Sequence, residues 1–206
     1  MLADMTIKQF LEETASNSPV PGGGSVAALS AAISAALTQM VANLTVGRKD
    51  YQQVQNDAEE VLVNAKKGQE FFVDYMDKDS DSFNKVMGAF RLPKATEEEK
   101  TLRSSAVQEA YKEAALVPLE TAREAYKMMD MIQFVVEKGN KNAASDGLVA
   151  AMLCRTAVLS ALYNVKINLS SIKDRSFKEK INTEVDTIEK NVKLREEEIL
   201  SKVNFY

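Results

Sequence analysis

The sequence predicts an all-α fold, a single-domain antiparallel helical bundle, and three observations predict it. Apolar residues recur at helical spacing through most of the chain, no segment alternates apolar and polar positions as a half-buried strand does, and helix-start signals precede the apolar runs. A length of 206 residues suffices for one buried core, so residues 1–206 are read as one domain.

In chain order, Thr6 and Gln9 have the spacing of a capping box and open a short amphipathic helix with Ile7, Phe10 and Leu11 on one side. Pro19 and Pro21 close that unit. Pro21 then leads through Gly22, Gly23, Gly24 and Ser25 into a helix of small residues reaching about Val46, with Ser25 placed to cap it. Two readings fit these glycines: a hinge feeding a closely packed core helix, or a place where backbone N–H groups approach a ligand or an anion. The Gly-Lys-Ser/Thr ending of a nucleotide P-loop is absent. No charge occurs from Gly22 to Gly47, a run long enough to raise the question of a membrane span. Its alanines and the polar Ser30, Ser34, Thr38, Gln39 and Asn43 favour instead a buried helix of a soluble protein, with no membrane partner.

Charge returns at Arg48, Lys49 and Asp50, followed by a helical pattern from about Tyr51 to Met76 and a shorter helix from about Asp79 to Arg91, ahead of Pro93. Thr96 and Glu99 supply a second capping box, for a helix expected to kink or break near Pro118 and to resume through Lys138. A Gly/Asn-rich loop from Gly139 to Gly147 feeds another small-residue helix through Ala150, Ala151, Ala157 and Ala161. A last helix, opened at Ser176 with Glu179, runs toward Leu200. Small residues let helix axes approach closely, at the centre of a bundle or in a symmetric contact between two copies. Ala31 and Ala35 are expected to take part in such a contact.

Composition narrows the chemistry. Lys plus Arg total 26 against 30 for Asp plus Glu, so the net charge of −4 gives no general attraction to nucleic acid. With no histidine and Cys154 alone, histidine-dependent triads and His-rich zinc sites are excluded, leaving acid–base work to Asp, Glu, Lys or Tyr. The acidic Asp4, Glu12 and Glu13 are unlike a secretory signal, and a cytoplasmic location is expected.

Asp77, Asp79 and Asp81 stand at the expected start of the Asp79 helix, where they either cap it or supply a general base. Asp79 shares a helix face with Phe83, which draws it inward, where desolvation raises a carboxyl pKa. Arg48 and Lys49 read as helix-end cations or as a pair for substrate carboxylates. Asn140, Asn142, Ser145 and Asp146 read as turn and capping residues or as a hydrogen-bonding site. Asn164 and Asn168 put two amides on one helix face, and both need partners.

Pro21 through Leu29, Met40 through Thr45, Asp79 through Phe83 with Leu92 and Pro93, Gly139-Asn140 with Ser145-Asp146, and Asn164 through Leu169 together resemble the formiminotetrahydrofolate cyclodeaminase and methenyltetrahydrofolate cyclohydrolase family. The resemblance implies an all-helical, homodimeric cytoplasmic enzyme acting on a tetrahydrofolate derivative. It implies no metal, no nucleotide and no cofactor beyond the tetrahydrofolate carrier itself. Asp79 is then the catalytic carboxylate, with Asp77 and Asp81 as alternatives. Gly22, Gly23, Gly24, Ser25, Arg48, Lys49, Asn140, Ser145, Asp146, Asn164 and Asn168 are the expected substrate-binding residues. Cyclodeamination, releasing ammonia from 5-formimino-tetrahydrofolate, is favoured over cyclohydrolysis of 5,10-methenyl-tetrahydrofolate. A non-catalytic folate-binding protein is the alternative from another class. Transferase activity is not expected, so a separate glutamate formiminotransferase is the implied partner.

Overall fold

The computed structural model describes residues 1–204. Among these residues six α-helices follow one another: α1 (Ile7–Thr14), α2 (Gly23–Asn43), α3 (Gln55–Phe90), α4 (Glu97–Lys138), α5 (Ala144–Ser170) and α6 (Arg175–Leu200), with 3-10 segments at Leu2–Asp4, Lys49–Val54 and Lys141–Ala143. No strand occurs among the described residues. The two capping boxes read from the sequence form, Thr6 with Gln9 opening α1 and Thr96 with Glu99 opening α4.

Helices α2, α3, α4 and α5 make the core, each sequence neighbour returning alongside the last, while α6 covers α4 and α5. Bonds at successive levels fix the directions. Gln39 of α2 meets Gln69 of α3 near one end and Ser25 meets Ser80 near the other, so α2 and α3 are antiparallel. The Ser34 hydroxyl donates to the Ala150 carbonyl at 2.7 Å, tying α2 to α5. Ala27, Ala31, Ala35, Ala122, Ala150, Ala157 and Ala161 are fully buried among Phe72, Leu119, Ile132 and Leu162, so the small side chains serve close packing within one chain. This corrects the expectation for Ala31 and Ala35, which have no surface to offer a second copy. Helix α2 and the segment Lys141–Ser170 that contains α5 are apolar enough to cross a membrane by length and composition. In this bundle the two pack on each other, each burying one side against its neighbours and leaving the other exposed.

The structure departs from the sequence-based elements at four places. The break expected between Met76 and Asp79 is absent: α3 is one 36-residue helix, because Phe72, Met76, Ser82 and Val86 continue a single buried stripe through the Asp/Ser-rich segment. The Asp77–Asp81 segment is therefore interior to α3 and does not cap that helix. Helix α4 runs through Pro118 without a break. Proline has no N–H to donate to the carbonyl of Ala114 one turn back, and the Asn168 side-chain amide of α5 donates to that carbonyl at 2.8 Å instead. Helix α2 starts at Gly23 with Gly22 as its cap and ends at Asn43, so Ser25 is inside the first turn and is not the cap. Helix α6 is capped by Asp174, whose carboxylate accepts from Phe177 N–H at 3.1 Å, and not by Ser176. That carboxyl is held down to about 2 by the helix-start N–H of Phe177, then by Ser176 and Lys112.

Candidate active site

Helix α2 begins without a side-chain cap, since Gly22 has none, and leaves its first N–H groups unsatisfied. The group that fills the gap comes from another helix. Asp79, on α3, sets its carboxylate against the first turn of α2, where the Ser25 hydroxyl lies 3.2 Å from Oδ2 and the Ser25 backbone N–H also favours the charged form. The Ser25 hydroxyl is 2.8 Å from the Met76 carbonyl and 3.2 Å from the Ser80 hydroxyl, so it sits in a buried polar knot between α2 and α3. Burial nonetheless outweighs both Ser25 contacts and raises the Asp79 carboxyl above the ordinary aspartate range. Gly24 makes the approach feasible: a Cβ there would stand 1.9 Å from Asp79 Oδ1. The anion attracted by this helix start is thus the chain's own.

Asp79 opens onto a cavity of about 360 Å³. Pro19, Val20, Gly22 and Gly23 form one rim, Ser82 and Phe83 continue α3, Tyr111 and Ala114 come from α4, and Asn164, Ile167 and Asn168 come from α5. Ser82 donates its hydroxyl to the Asp79 carbonyl at 2.8 Å. Asn164 donates to the Ser160 carbonyl at 2.9 Å, and Asn168 to the carbonyls of Ala114 and Asn164. Asp79 and Tyr111 are the titratable groups lining the cavity.

Of the sequence-predicted residues, Gly22, Gly23, Asn164 and Asn168 line this cavity with Asp79. Gly24 and Ser25 are buried beneath Asp79, so they shape its position and do not face the cavity. Asp77 and Asp81 are placed elsewhere: Asp77 Oδ1 accepts from the Leu2 N–H at 2.9 Å, and exposed Asp81 lines an outer groove with Lys78 and Lys85. Arg48, Lys49, Asn140, Ser145 and Asp146 lie at the opposite end of α2 and α5, about 30 Å away by the length of a 21-residue helix. There Asn140 is structural, its N–H bonded to Thr45 Oγ1 at 2.9 Å and its side chain to the Leu44 carbonyl at 2.8 Å. Nothing local in the sequence distinguishes Tyr111, Ser82 and Ser80, and only the register of α3 and α4 brings them to the site. Cys154 is fully buried, bonded to the Ala125 carbonyl, and its thiol is pushed up to about 12 by burial, so it is inert.

The sequence profile of the formiminotransferase-cyclodeaminase family matches residues 6–187, which include every residue of this cavity. The chain belongs to that family. It is 41% identical over 179 residues to a methenyltetrahydrofolate cyclohydrolase of Methylorubrum extorquens, covering 87% of this chain and 86% of that one. It is 34% identical over 187 residues to the formimidoyltransferase-cyclodeaminase of Rattus norvegicus, covering 91% of this chain and 35% of that longer protein. The crystal structure of a formiminotetrahydrofolate cyclodeaminase from Thermotoga maritima superposes with a TM-score of 0.88 at 31% identity, over 98% of this chain and 97% of that one. The protein is accordingly a helical enzyme of the cyclodeaminase/cyclohydrolase group of folate one-carbon metabolism.

Proposed function

We propose that this cavity carries out cyclodeamination of 5-formimino-tetrahydrofolate, with Asp79 as the proton-transfer group. The observation that carries the reading is one carboxyl group, raised by burial and held by Ser25, facing a cavity that also contains Gly22, Gly23, Asn164 and Asn168. In the reaction N10 adds to the protonated formimino carbon, Asp79 takes the N10 proton, and the same carboxylic acid returns that proton to the amino group, which leaves as ammonia. The N5 and N10 lone pairs then share the positive charge of the 5,10-methenyl product. A carboxyl group raised toward neutrality suits both halves of that transfer. Its carboxylate form also balances the amidinium charge.

The 41% identical relative named as a cyclohydrolase supports a second reading, in which Asp79 activates water against the methenyl carbon. Incubation with 5-formimino-tetrahydrofolate and, separately, with 5,10-methenyl-tetrahydrofolate separates the two. Ammonia release coupled to rising methenyl absorbance is the expected result; loss of methenyl absorbance alone assigns the cyclohydrolase. No turnover of either leaves a folate-binding protein.

The reading includes a cytoplasmic homodimer and a formimino group delivered by a separate glutamate formiminotransferase, as in the breakdown of histidine. Val26, Ile33 and Met40 of α2 and Val149, Met152, Tyr163 and Ile167 of α5 stand exposed on the uncharged α2–α5 face, Met152 at 49% and Ile167 at 67%. An isologous contact of that face buries them. If its two-fold axis runs the paired helices antiparallel, Arg48, Lys49, Ser145 and Asp146 of one copy lie beside the cavity of the other. That arrangement reunites the two halves of the expected binding set, with the cations available to the glutamate tail.

A further inference from the structure

The two amides on the α5 wall are held by backbone carbonyls, Asn168 through both of its amide hydrogens and Asn164 through one. Asn164 donates to Ser160 O at 2.9 Å, a carbonyl of its own helix, and Asn168 donates to Ala114 O at 2.8 Å and Asn164 O at 2.9 Å. Each NH₂ group faces a backbone carbonyl, which only accepts, so the orientation of both amides is fixed by chemistry. The Asn168 orientation is set by α4, because Pro118 leaves the Ala114 carbonyl without its helical donor. What remains is the Oδ1 of each side chain, together with the second N–H of Asn164. Neither oxygen has a protein partner, and neither is sealed from the cavity.

We infer that Asn164 and Asn168 are specificity-determining residues that read hydrogen-bond donors on the ligand, and that the group they read is the amino-pyrimidine edge of the pteridine ring. This inference rests on the tetrahydrofolate reading of the site. A tetrahydropteridine carries donors at its 2-amino group and ring N–H positions, whereas the glutamate end of a folate presents carboxylates, which two carbonyl oxygens repel. Cβ atoms four apart on a helix stand about 5–6 Å from each other, so the pair spans one ring edge. The pteridine then lies along α5 with its one-carbon side toward Asp79, and the tail leaves the cavity.

The test uses the intact protein and ligand fragments without a one-carbon group, so its outcome does not depend on turnover. The probes are 6-methyl-tetrahydropterin, its 2-dimethylamino analogue, and p-aminobenzoylglutamate, titrated by calorimetry or by competition with tetrahydrofolate. The pterin is expected to bind about ten- to a hundred-fold tighter than the dimethylamino analogue, because the analogue leaves an acceptor unpaired. Asn164→Leu, which keeps the shape of the side chain and loses only a bond within α5, is expected to bind the pterin as weakly as the analogue while leaving the analogue's affinity unchanged. Equal binding of pterin and analogue by the wild-type protein overturns the inference, as does a pterin that fails to bind or tighter binding of p-aminobenzoylglutamate. A protein that turns over a folate yet ignores the 2-amino group refutes this inference and leaves the reaction standing. One that binds by donor pattern without turnover does the reverse.

Discussion

Replacing Gly24 with alanine separates the position of Asp79 from the stability of the fold. Gly24 is helical, in the first turn of α2, so alanine suits its backbone and on helix propensity alone gains up to about 1 kcal/mol. The new methyl, however, would stand 1.9 Å from Asp79 Oδ1, 2.4 Å from Cγ and 2.6 Å from Oδ2. The whole carboxyl group must retreat by at least about 1 Å, which a flexible side chain does cheaply by rotating about χ1 and χ2. That rotation gives up the Ser25 contact, worth about 1 kcal/mol, so the two stability effects roughly cancel. Activity does not share the cancellation, since about 1 Å of misplacement of a reacting group costs on the order of 10²-fold. The expected result is therefore a midpoint of urea unfolding close to wild type and a kcat lower by about 10²-fold. In an Asp79→Asn background the same alanine should have little further effect, because the displaced group no longer transfers a proton. Turnover by Gly24→Ala within threefold of wild type refutes the reasoning that this glycine exists to admit Asp79.

Other outcomes follow from the same geometry. Ser25→Ala removes a contact that favours the charged form of Asp79, so the carboxyl rises further. Activity requires that group ionised and is lost as pH falls through its pKa, so the acid limb of the kcat profile should move to higher pH, which a pH–rate series reads directly. Asp77→Ala should leave kcat within a few-fold and loosen the N-terminal segment, whose Leu2 N–H the Asp77 carboxylate holds, by about 1 kcal/mol; hydrogen exchange at Leu2 measures this. Ile33→Glu with Met152→Glu places charges at exposed positions of the α2–α5 face and should convert a dimer to a folded monomer in sedimentation equilibrium.

The helices were legible wherever the local signal and the tertiary packing agree. The capping boxes at Thr6 and Thr96 and the long apolar stripes were read correctly. At the Asp/Ser-rich segment of α3 and at Pro118 of α4 local preference argues for a boundary, and packing overrides it. Phe72, Met76, Ser82 and Val86 hold α3 together, and Asn168 satisfies the carbonyl that Pro118 orphans. For the site, the sequence indicated Asp79 through its spacing to Phe83 and through the family likeness. It could not show that Gly24 makes room for Asp79, since a helix start and a carboxylate more than fifty residues later meet only through the antiparallel pairing of α2 and α3. The expected site residues also divide between two ends of one layer, a separation that motif order along the chain conceals.

The central claim, that Asp79 moves the proton, is tested most directly by Asp79→Asn, which keeps size and shape and removes the capacity for proton transfer together with the charge. Its kcat for ammonia release from 5-formimino-tetrahydrofolate is predicted to fall by about 10²–10⁴-fold while tetrahydrofolate binds with near wild-type affinity. Near-normal turnover by Asp79→Asn, or a larger loss in Asp81→Asn, contradicts it.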